Sequence, residues 1–336
     1  MSQREKTTIS PKLHEDTKSI STHRAFVYSI IMPGWGEWYA GSRMRSFFTG
    51  IMLLVSLVLF TFIMFDLTVA ITDMIMDIID GDMNAKMPAI PFNYLGLSIA
   101  GLCFTWLWGI ISSIDIAVKK QKQDNELPEN NPIWGVVFSW VCPGSGHVYS
   151  GYPLFGYILF TGYLMGILLL FPVYKHLGNE IFEMMYNGTL SATNRFEIIS
   201  LFREYTTRLH FSFAPLFLKI LKYVAIAGTI DSLNEIIAKR ADNSFEWMKN
   251  PWIRGLVHLL FGWLCPGAGQ LLEKRNISGW GIIVINAACL LIVGFLLTSG
   301  SITPSTAYKY NILISGLQWI AIIEAPAYMM FKLKKV

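Results

Sequence analysis

Six long apolar runs separated by polar stretches dominate the chain, and their length sets the fold class. They cover residues 46–65, 94–114, 153–172, 213–230, 279–297 and 308–323. An α-helix needs about 20 apolar residues to cross the roughly 30 Å hydrocarbon core of a bilayer. Each run therefore predicts a transmembrane helix, and the fold class predicted is all-α integral membrane.

Three shorter apolar runs, at residues 25–32, 133–142 and 253–265, are too short to span and end at a Pro-Gly-x-Gly motif. The motif residues are Pro33, Gly34, Gly36, Pro143, Gly144, Gly146, Pro266, Gly267 and Gly269. Proline ends a helix, and glycine permits positive φ and a close approach of another helix. Each motif is followed by two long runs, so the pattern predicts three tandem repeats of one half-helix and two transmembrane helices.

The predicted divisions are a disordered cytoplasmic tail at 1–23 and membrane repeats at 24–120, 132–240 and 251–336. The second and third repeats share a longer lead-in, since Asn131-Pro132 matches Asn250-Pro251 and Cys142 matches Cys265. Repeat two carries a long insert at 173–210 between its spans. Apolar residues recur at helical spacing within it (Phe196, Ile199, Phe202, Tyr205, Leu209). They recur again (Ile71, Ile75, Ile78, Ile79) among the aspartates that follow the first span (Asp66, Asp73, Asp77, Asp80, Asp82). Both patterns predict amphipathic helices lying on the outer membrane surface.

Composition and charge support a membrane class and orient it. The 336 residues are 53% hydrophobic and 15% charged, against roughly a quarter charged in soluble domains. Basic residues cluster in the tails, the linkers and the glycine loops (Arg24, Arg43, Arg45, Lys119, Lys120, Lys122, Lys239, Arg240, Lys249, Arg254, Lys274, Arg275). The positive-inside rule then places both termini on the cytoplasmic side, and the membrane we expect is the cell inner membrane. Each repeat begins and ends inside, so its half-helix is re-entrant or interfacial.

One acidic residue ends the last span of each repeat: Asp115, Asp231 and Glu324. Irregular backbone within a membrane needs hydrogen-bond partners, and the glycine loops expose backbone amides. We therefore predict that these acids brace the loops by accepting hydrogen bonds from the loop amides. The alternative is that they bind protons or cations, because intramembrane ionisable groups mark transport pathways by default.

Several polar residues break the repetition. Lys219 and Lys222 lie three residues apart in the second span of repeat two, on one helical face. Either they extend to the outer headgroups, or they form an anion or lipid-phosphate site. His147 stands where the other copies have Glu37 and Gln270, and is interpreted as a polar loop residue. Asn286, inside an apolar span, predicts a hydrogen bond between helices.

No motif of soluble enzymes is present, and the four cysteines lack metal-ligand spacing, so we expect no catalytic residues, no metal and no cofactor. Nucleic acid is not an expected partner.

The motif Gly144-x-Gly146-His147-x-Tyr149-x-Gly151, followed by a span and a last helix ending in Ile-Asp, resembles the TM-two-domain hairpins and bacterial relatives of unknown function. The bacterial relatives have Pro-Gly-x-Gly-Gln-x-Tyr-x-Gly motifs, and the family motif is G-x-H-R-F-Y-x-G. This chain lacks the Arg-Phe pair, and only its second repeat has the histidine. The resemblance implies a membrane hairpin fold and no particular activity.

The leading functional hypothesis is a non-enzymatic scaffold or assembly subunit of a membrane complex, with membrane lipids and other membrane or periplasmic proteins as partners. The second is a transporter or channel for an ion, an anionic solute or a lipid, using Lys219 and Lys222. Transporters commonly combine broken helices with repeats in inverted pairs, and three copies in one orientation fit that arrangement poorly.

Overall fold

The computed structural model describes residues 20–80, 92–124, 131–186, 195–239 and 250–333, and every regular element within these ranges is an α-helix. The helices are α1 (Thr22–Ile31), α2 (Trp35–Tyr39), α3 (Arg43–Ile79), α4 (Phe92–Gln123), α5 (Pro132–Val141), α6 (Ser145–Tyr149), α7 (Pro153–Tyr186), α8 (Arg195–His210), α9 (Phe213–Lys239), α10 (Pro251–Leu264), α11 (Ala268–Leu272), α12 (Asn276–Thr298) and α13 (Pro304–Leu333). We call α1–α4 the first segment, α5–α9 the second and α10–α13 the third.

Six of these helices, α3, α4, α7, α9, α12 and α13, are long and apolar enough to cross a membrane. They contain the six predicted runs, so the prediction of six membrane-crossing helices is confirmed at the level of length and composition. The chain is accordingly an all-helical, multi-pass membrane protein.

The acidic stretch after the first predicted span is part of α3, which runs unbroken for 37 residues. The expectation of a separate surface helix around Ile71 and Ile75 is therefore wrong. Neither glycine nor proline occurs between residues 51 and 79, so nothing in the sequence ends the helix there. Asp82, which belonged to the same prediction, lies outside the described residues.

The insert at 173–210 is divided between two helices. Its first part continues α7 as far as Tyr186, with Pro172 inside the helix. Its last part forms α8, which carries the predicted apolar positions and confirms a helix there.

Each of the three Pro-Gly motifs separates a short apolar helix from a five-residue helix. Asn131 and Asn250 cap α5 and α10, and each side chain accepts a hydrogen bond from the backbone N–H two residues on, at 3.0 Å. α10 has 14 residues and α5 has 10, so α10 is about one turn longer between the cap and the proline. The shared lead-in therefore aligns the caps and not the whole helices.

The predicted disordered tail, residues 1–23, includes the first residues of α1. α1 begins at Thr22, whose hydroxyl donates to Gln121 Oε1 at 3.3 Å, and Gln121 Nε2 donates to Ile20 O at 2.7 Å. These contacts fix residues 20–23 against α4. Residues 1–19 lie outside the described part of the chain.

Packing follows one scheme along the chain. α1 packs on α4, α5 on α9 and α10 on α13, so the short helix of each segment lies against the last long helix of that segment. α4 also packs on α6 and α7, and α9 on α11 and α12. The last long helix of one segment thus contacts the five-residue helix and the first long helix of the next.

Candidate functional site

The first glycine of each motif allows the turn to lie against the next long helix. Gly34, Gly144 and Gly267 have φ of 97°, 99° and 98°. A Cβ atom added to Gly144 would lie 2.0 Å from Gly156 O, and one added to Gly267 would lie 2.3 Å from Gly279 O. Only glycine combines this backbone conformation with this approach.

The second glycine allows the five-residue helix to lie against the short helix before it. A Cβ atom at Gly146 would lie 2.3 Å from Ser139 Oγ and 2.4 Å from Gly135 O. At Gly36 the corresponding atoms are Ser29 Oγ at 2.0 Å and Ala25 O at 2.2 Å. The prediction that the motif glycines serve a close approach of helices is confirmed at these positions.

The predicted bracing of the loops by acids through backbone amides is wrong. The amides of the second motif bond within the turn, from Ser145 N to Cys142 O at 3.0 Å and from His147 N to Gly144 O at 3.1 Å. Equivalent bonds run from Trp35 N to Met32 O and from Ala268 N to Cys265 O. Within the described part of the chain, no backbone amide of a motif donates a hydrogen bond to Asp115, Asp231 or Glu324.

Asp115 and Asp231 instead connect successive segments. Asp115 Oδ2 accepts from Tyr157 Oη at 3.3 Å, and Asp231 Oδ2 accepts from Trp280 Nε1 at 2.9 Å. Tyr157 and Trp280 lie at the same distance after the motif proline, each on the first long helix of the next segment. Asp115 also accepts from Lys119 Nζ at 2.7 Å within its own segment.

Glu324, at the end of the chain, is bonded inside the third segment. Its carboxylate accepts from Gln270 Nε2 at 2.9 Å and from Arg275 Nη1 at 2.6 Å. Gln270 Nε2 also donates to Ala321 O at 2.8 Å. Here a motif residue does contact the acid, through its side chain.

The residue after the second glycine differs in each segment and is buried in all three. Glu37 accepts from Thr49 Oγ1 at 2.6 Å. Burial raises the pKa of Glu37, against the hydrogen bond from Thr49 and the charge of Arg45.

His147 occupies the same position in the second segment, within a chain of polar groups. Thr229 Oγ1 donates to Ala225 O at 2.7 Å and lies 3.2 Å from His147 Nδ1 and 2.7 Å from Ser139 Oγ. Burial lowers the pKa of His147 to about 4. The residue is therefore a neutral, buried group that links α6 to α9, and its interpretation as a loop residue is wrong.

The third segment contains a buried charged cluster that the sequence analysis did not single out. Glu273 Oε1 lies 2.9 Å from His258 Nε2 and 2.5 Å from Arg254 Nη2. Burial acts to raise the pKa of Glu273, but the close His258 ring and the ion pair with Arg254 outweigh it and lower the pKa. Among the described residues, no group of three His, Cys, Asp or Glu could hold a metal ion.

Lys219 and Lys222 both lie on α9, partly buried, and face aromatic rings. Lys222 Nζ is 5.9 Å from the centre of the Trp140 ring and 5.6 Å from that of Tyr163. Lys219 Nζ is 6.0 Å from the centre of the Tyr223 ring. Neither lysine forms an ion pair in the described part of the chain.

Asn286 Oδ1 accepts a hydrogen bond from Gln318 Nε2 at 3.0 Å, which confirms the predicted bond between helices.

An apolar groove of about 600 Å³ lies on the first segment, lined by α1, the first motif and the start of α3. We call it the α1–α3 groove and define it by Tyr28, Met32, Pro33, Trp35, Trp38, Tyr39, Ser46 and Gly50. Trp38 is 60% exposed there, although Val148 and Leu271, in the same motif position, are buried. Met32 is likewise 40% exposed, whereas Cys142 and Cys265 are fully buried.

In the second and third segments the corresponding positions are covered by the preceding segment. Cys142 Sγ lies 3.6 Å from Leu107 O on α4, and Cys265 Sγ lies 3.6 Å from Tyr223 O on α9. Phe138, Val148 and Phe160 join one apolar cluster with isoleucines of α4, and Phe261, Leu271 and Ile283 join another with residues of α9. Among the residues that the structure describes, no helix covers the matching face of the first segment, and its groove is open.

Besides the charged cluster of the third segment, two features of the site were missed at the sequence level, and a signal existed for one of them. Tyr157 and Trp280 follow the motif proline at one fixed distance, where the first segment has Phe47. This fixed spacing from the proline could have identified Tyr157 and Trp280 as the hydrogen-bond donors to Asp115 and Asp231. The groove carried no such signal, because its exposure depends on which helices pack beside it.

No family model, curated protein or solved structure was found to match the chain.

Proposed function

We propose that the protein is a non-enzymatic scaffold or assembly subunit of a membrane complex, built from three tandem repeats that correspond to the three segments. The six spanning helices are the frame, and the glycine motifs are half-helical turns at the cytoplasmic face, re-entrant or interfacial. In this proposal both termini are cytoplasmic and the membrane is the cell inner membrane. A relationship to TM-two-domain hairpins is part of the same proposal.

The single observation that carries the proposal is the α1–α3 groove. Exposed apolar side chains are ordinary on a membrane-spanning surface, so the groove is distinguished by its concave shape and by what fills its counterparts in the other segments. Trp35 and Trp38 are 51% and 60% exposed in the groove, and tryptophan is among the residues most enriched at binding hot spots. The same positions in the other two segments are the places where a helix of the neighbouring segment packs.

The topology is supported by the position of basic residues near the motifs. A Cβ atom added to Gly41 would lie 3.1 Å from Lys120 Nζ, and one added to Gly151 would lie 3.3 Å from Lys122 Nζ. The lysines at the end of α4 and the first two motifs therefore share one end of the bundle. A basic end favours the cytoplasmic side.

Affinity purification from native membranes in a mild detergent tests the proposal. The tagged protein should copurify with a stoichiometric membrane component, and Trp35→Ala/Trp38→Ala should reduce its recovery at least roughly tenfold, as expected for truncated hot spots. Trp252→Ala, at a 78% exposed residue outside the groove, is the control and should retain the partner. An unchanged partner in the groove variant, or no partner in any preparation, would contradict the proposal.

The second candidate function is transport of an anion or binding of a lipid phosphate at Lys219 and Lys222. Its support is that both cations lie on a membrane-spanning helix with no acidic partner in the described part of the chain. Charged groups at such depth are costly and often functional. The aromatic rings around Lys222 offset part of that cost by cation–π attraction.

Lys219→Gln/Lys222→Gln separates the two candidates. Transport predicts loss of function with normal expression and normal copurification of partners. Near-normal function in the double variant would eliminate the lysine site and leave the assembly proposal unaffected.

A further inference from the structure

We infer that the α1–α3 groove binds α13 of a second copy of this chain, in the way α4 and α9 fill the corresponding grooves inside one copy. The inference rests on the proposed assembly function and specifies its partner. One surface lies on the first segment and the other on the third, so both halves of the contact are present in every chain.

The surface that would enter the groove is an apolar stripe on α13. Trp319, Ile320 and Ile323 are 55%, 66% and 58% exposed. When the C-terminal acids Asp115, Asp231 and Glu324 are aligned, this stripe matches two buried sets: Ile110, Ile111 and Ile114 on α4, and Ile226, Ala227 and Ile230 on α9. Both buried sets belong to the clusters that cover a motif of the next segment.

Within one chain the stripe and the groove do not fill each other. α13 packs on α8, α10, α11 and α12. The stripe residues are exposed, and so are Met32, Trp35 and Trp38 of the groove. Among the described residues, the same contact is made twice, while the groove of the first segment and the stripe on α13 remain unfilled. A third contact of this type joins the end of one copy to the beginning of another.

The polar groups fit this arrangement. Inside the chain, Asp115 and Asp231 take a hydrogen bond from Tyr157 and Trp280 of the following segment. Phe47, at the matching position of the first segment, has no donor. Glu324 needs none, because Gln270 and Arg275 of its own segment already bond to it. Docking therefore buries no carboxylate without a partner.

The membrane orientation is also preserved. The internal contacts join segments whose glycine motifs lie near the C-terminal ends of α4, α9 and α13, at one end of the bundle. A further contact of the same kind leaves the second copy in the same orientation, as insertion of identical chains requires. Such a contact is heterologous, so it builds a ring where the rotation closes and an open row of molecules where it does not.

A pair of cysteines across the contact tests the inference in native membranes. Met32 corresponds to Cys142 and Cys265, and Gly316 corresponds to Leu107 and Tyr223, which those cysteines approach. A Cβ atom at Gly316 meets nothing within 4 Å, so cysteine fits there. Two differently tagged copies, one with Met32→Cys and one with Gly316→Cys, should form a mixed disulfide-linked dimer on oxidation, and neither variant alone should do so.

Two controls make the result specific. Met44 is 70% exposed on α3 outside the groove, and Met44→Cys paired with Gly316→Cys should not cross-link. Adding Trp319→Ala/Ile323→Ala to the Gly316→Cys copy should lower the cross-linked fraction at least roughly tenfold, a loss typical of a hot spot. Ile292→Ala/Phe295→Ala, at exposed residues of α12, should leave it unchanged.

Absence of the mixed dimer, with both copies expressed and folded, overturns the inference. If Met32→Cys is then captured by a different membrane protein, a second copy is not the occupant but the assembly function stands. If Met32→Cys reacts with no protein, lipid covers the groove and the assembly function fails together with the inference.

Discussion

Single glycines determine whether a motif can lie against its neighbouring helix. Gly144 combines φ of 99° with a backbone oxygen where its Cβ atom would be. The sequence predicted this role because the proline and the two glycines recur together three times. It did not predict the contacting atom, Gly156 O, since that depends on how α6 and α7 cross.

Gly144→Ala is expected to destabilise the folded protein by more than about 2 kcal/mol, because it adds both backbone strain and a steric clash. Gly281→Ala is the matched control, since its Cβ atom meets nothing within 4 Å and alanine favours a helix by roughly 0.8–1 kcal/mol. Thermal unfolding in detergent measures both. Equal transition temperatures for the two variants would contradict the role assigned to Gly144.

His147 makes the stability of the protein depend on pH. Its pKa is about 4 in the folded protein because it is buried, below the ordinary value of about 6.5. Between those two values the unfolded chain binds a proton that the folded chain does not, so stability rises with pH across this window, by up to about 1.4 kcal/mol per pH unit.

His147→Gln should remove that part of the pH dependence, and glutamine is the residue that the third segment has at this position. The measurement is the unfolding temperature from pH 4 to pH 7 for both proteins. Parallel curves would show that His147 titrates normally and is not buried as described.

For the three acids, the sequence allowed a structural role to be predicted but not the residues that bond to them. Their recurrence at the end of the last span was visible in Asp115, Asp231 and Glu324, and a structural role was inferred from it. The partners of Asp115 and Asp231 could not be inferred, because Tyr157 and Trp280 belong to the following segment. Contacts between segments depend on how whole helices pack. Lys219 and Lys222 were found by their departure from the pattern, and their aromatic neighbours could not be inferred from periodicity.

At the scale of elements, hydropathy predicted the existence of helices better than their ends. All six long runs are helices, but α3 and α7 extend well beyond the apolar run. At 1.5 Å per residue, the 37 residues of α3 extend about 55 Å, well over the roughly 30 Å of a hydrocarbon core. Both helices continue into polar sequence because helix propensity does not end where the apolar run ends.

α3 should therefore project from the outer face of the membrane as a helix. Asp77→Cys is expected to react with a membrane-impermeant maleimide in intact cells, because it lies beyond the apolar part of α3. Val58→Cys, in the middle of that part, should not react, and the parent chain gives the background of native cysteines. Protection of Asp77→Cys until the cells are opened would reverse the predicted topology.

At the scale of the whole molecule, one type of contact links the segments in series. α4 enters the groove of the second segment and α9 that of the third, with an acid bonded to an aromatic donor at each contact. The motif and its spacing revealed the units that make this contact. The contact itself became visible only when Met32 and Trp38 were found exposed where Cys142 and Val148 are buried.

The measurement that tests this serial contact most directly is disulfide formation between consecutive segments. Leu107→Cys should pair with the native Cys142, and Tyr223→Cys with the native Cys265. Each cysteine sulfur lies 3.6 Å from the backbone of the replaced residue, and the side chain of that residue packs in the same apolar cluster as the cysteine. A protease site is placed between residues 124 and 131 for the first pair, and between 239 and 250 for the second. After oxidation and cleavage, both variants should remain one band without reductant and separate into two fragments with it. Fragments that separate without reductant in both variants would contradict the serial contact.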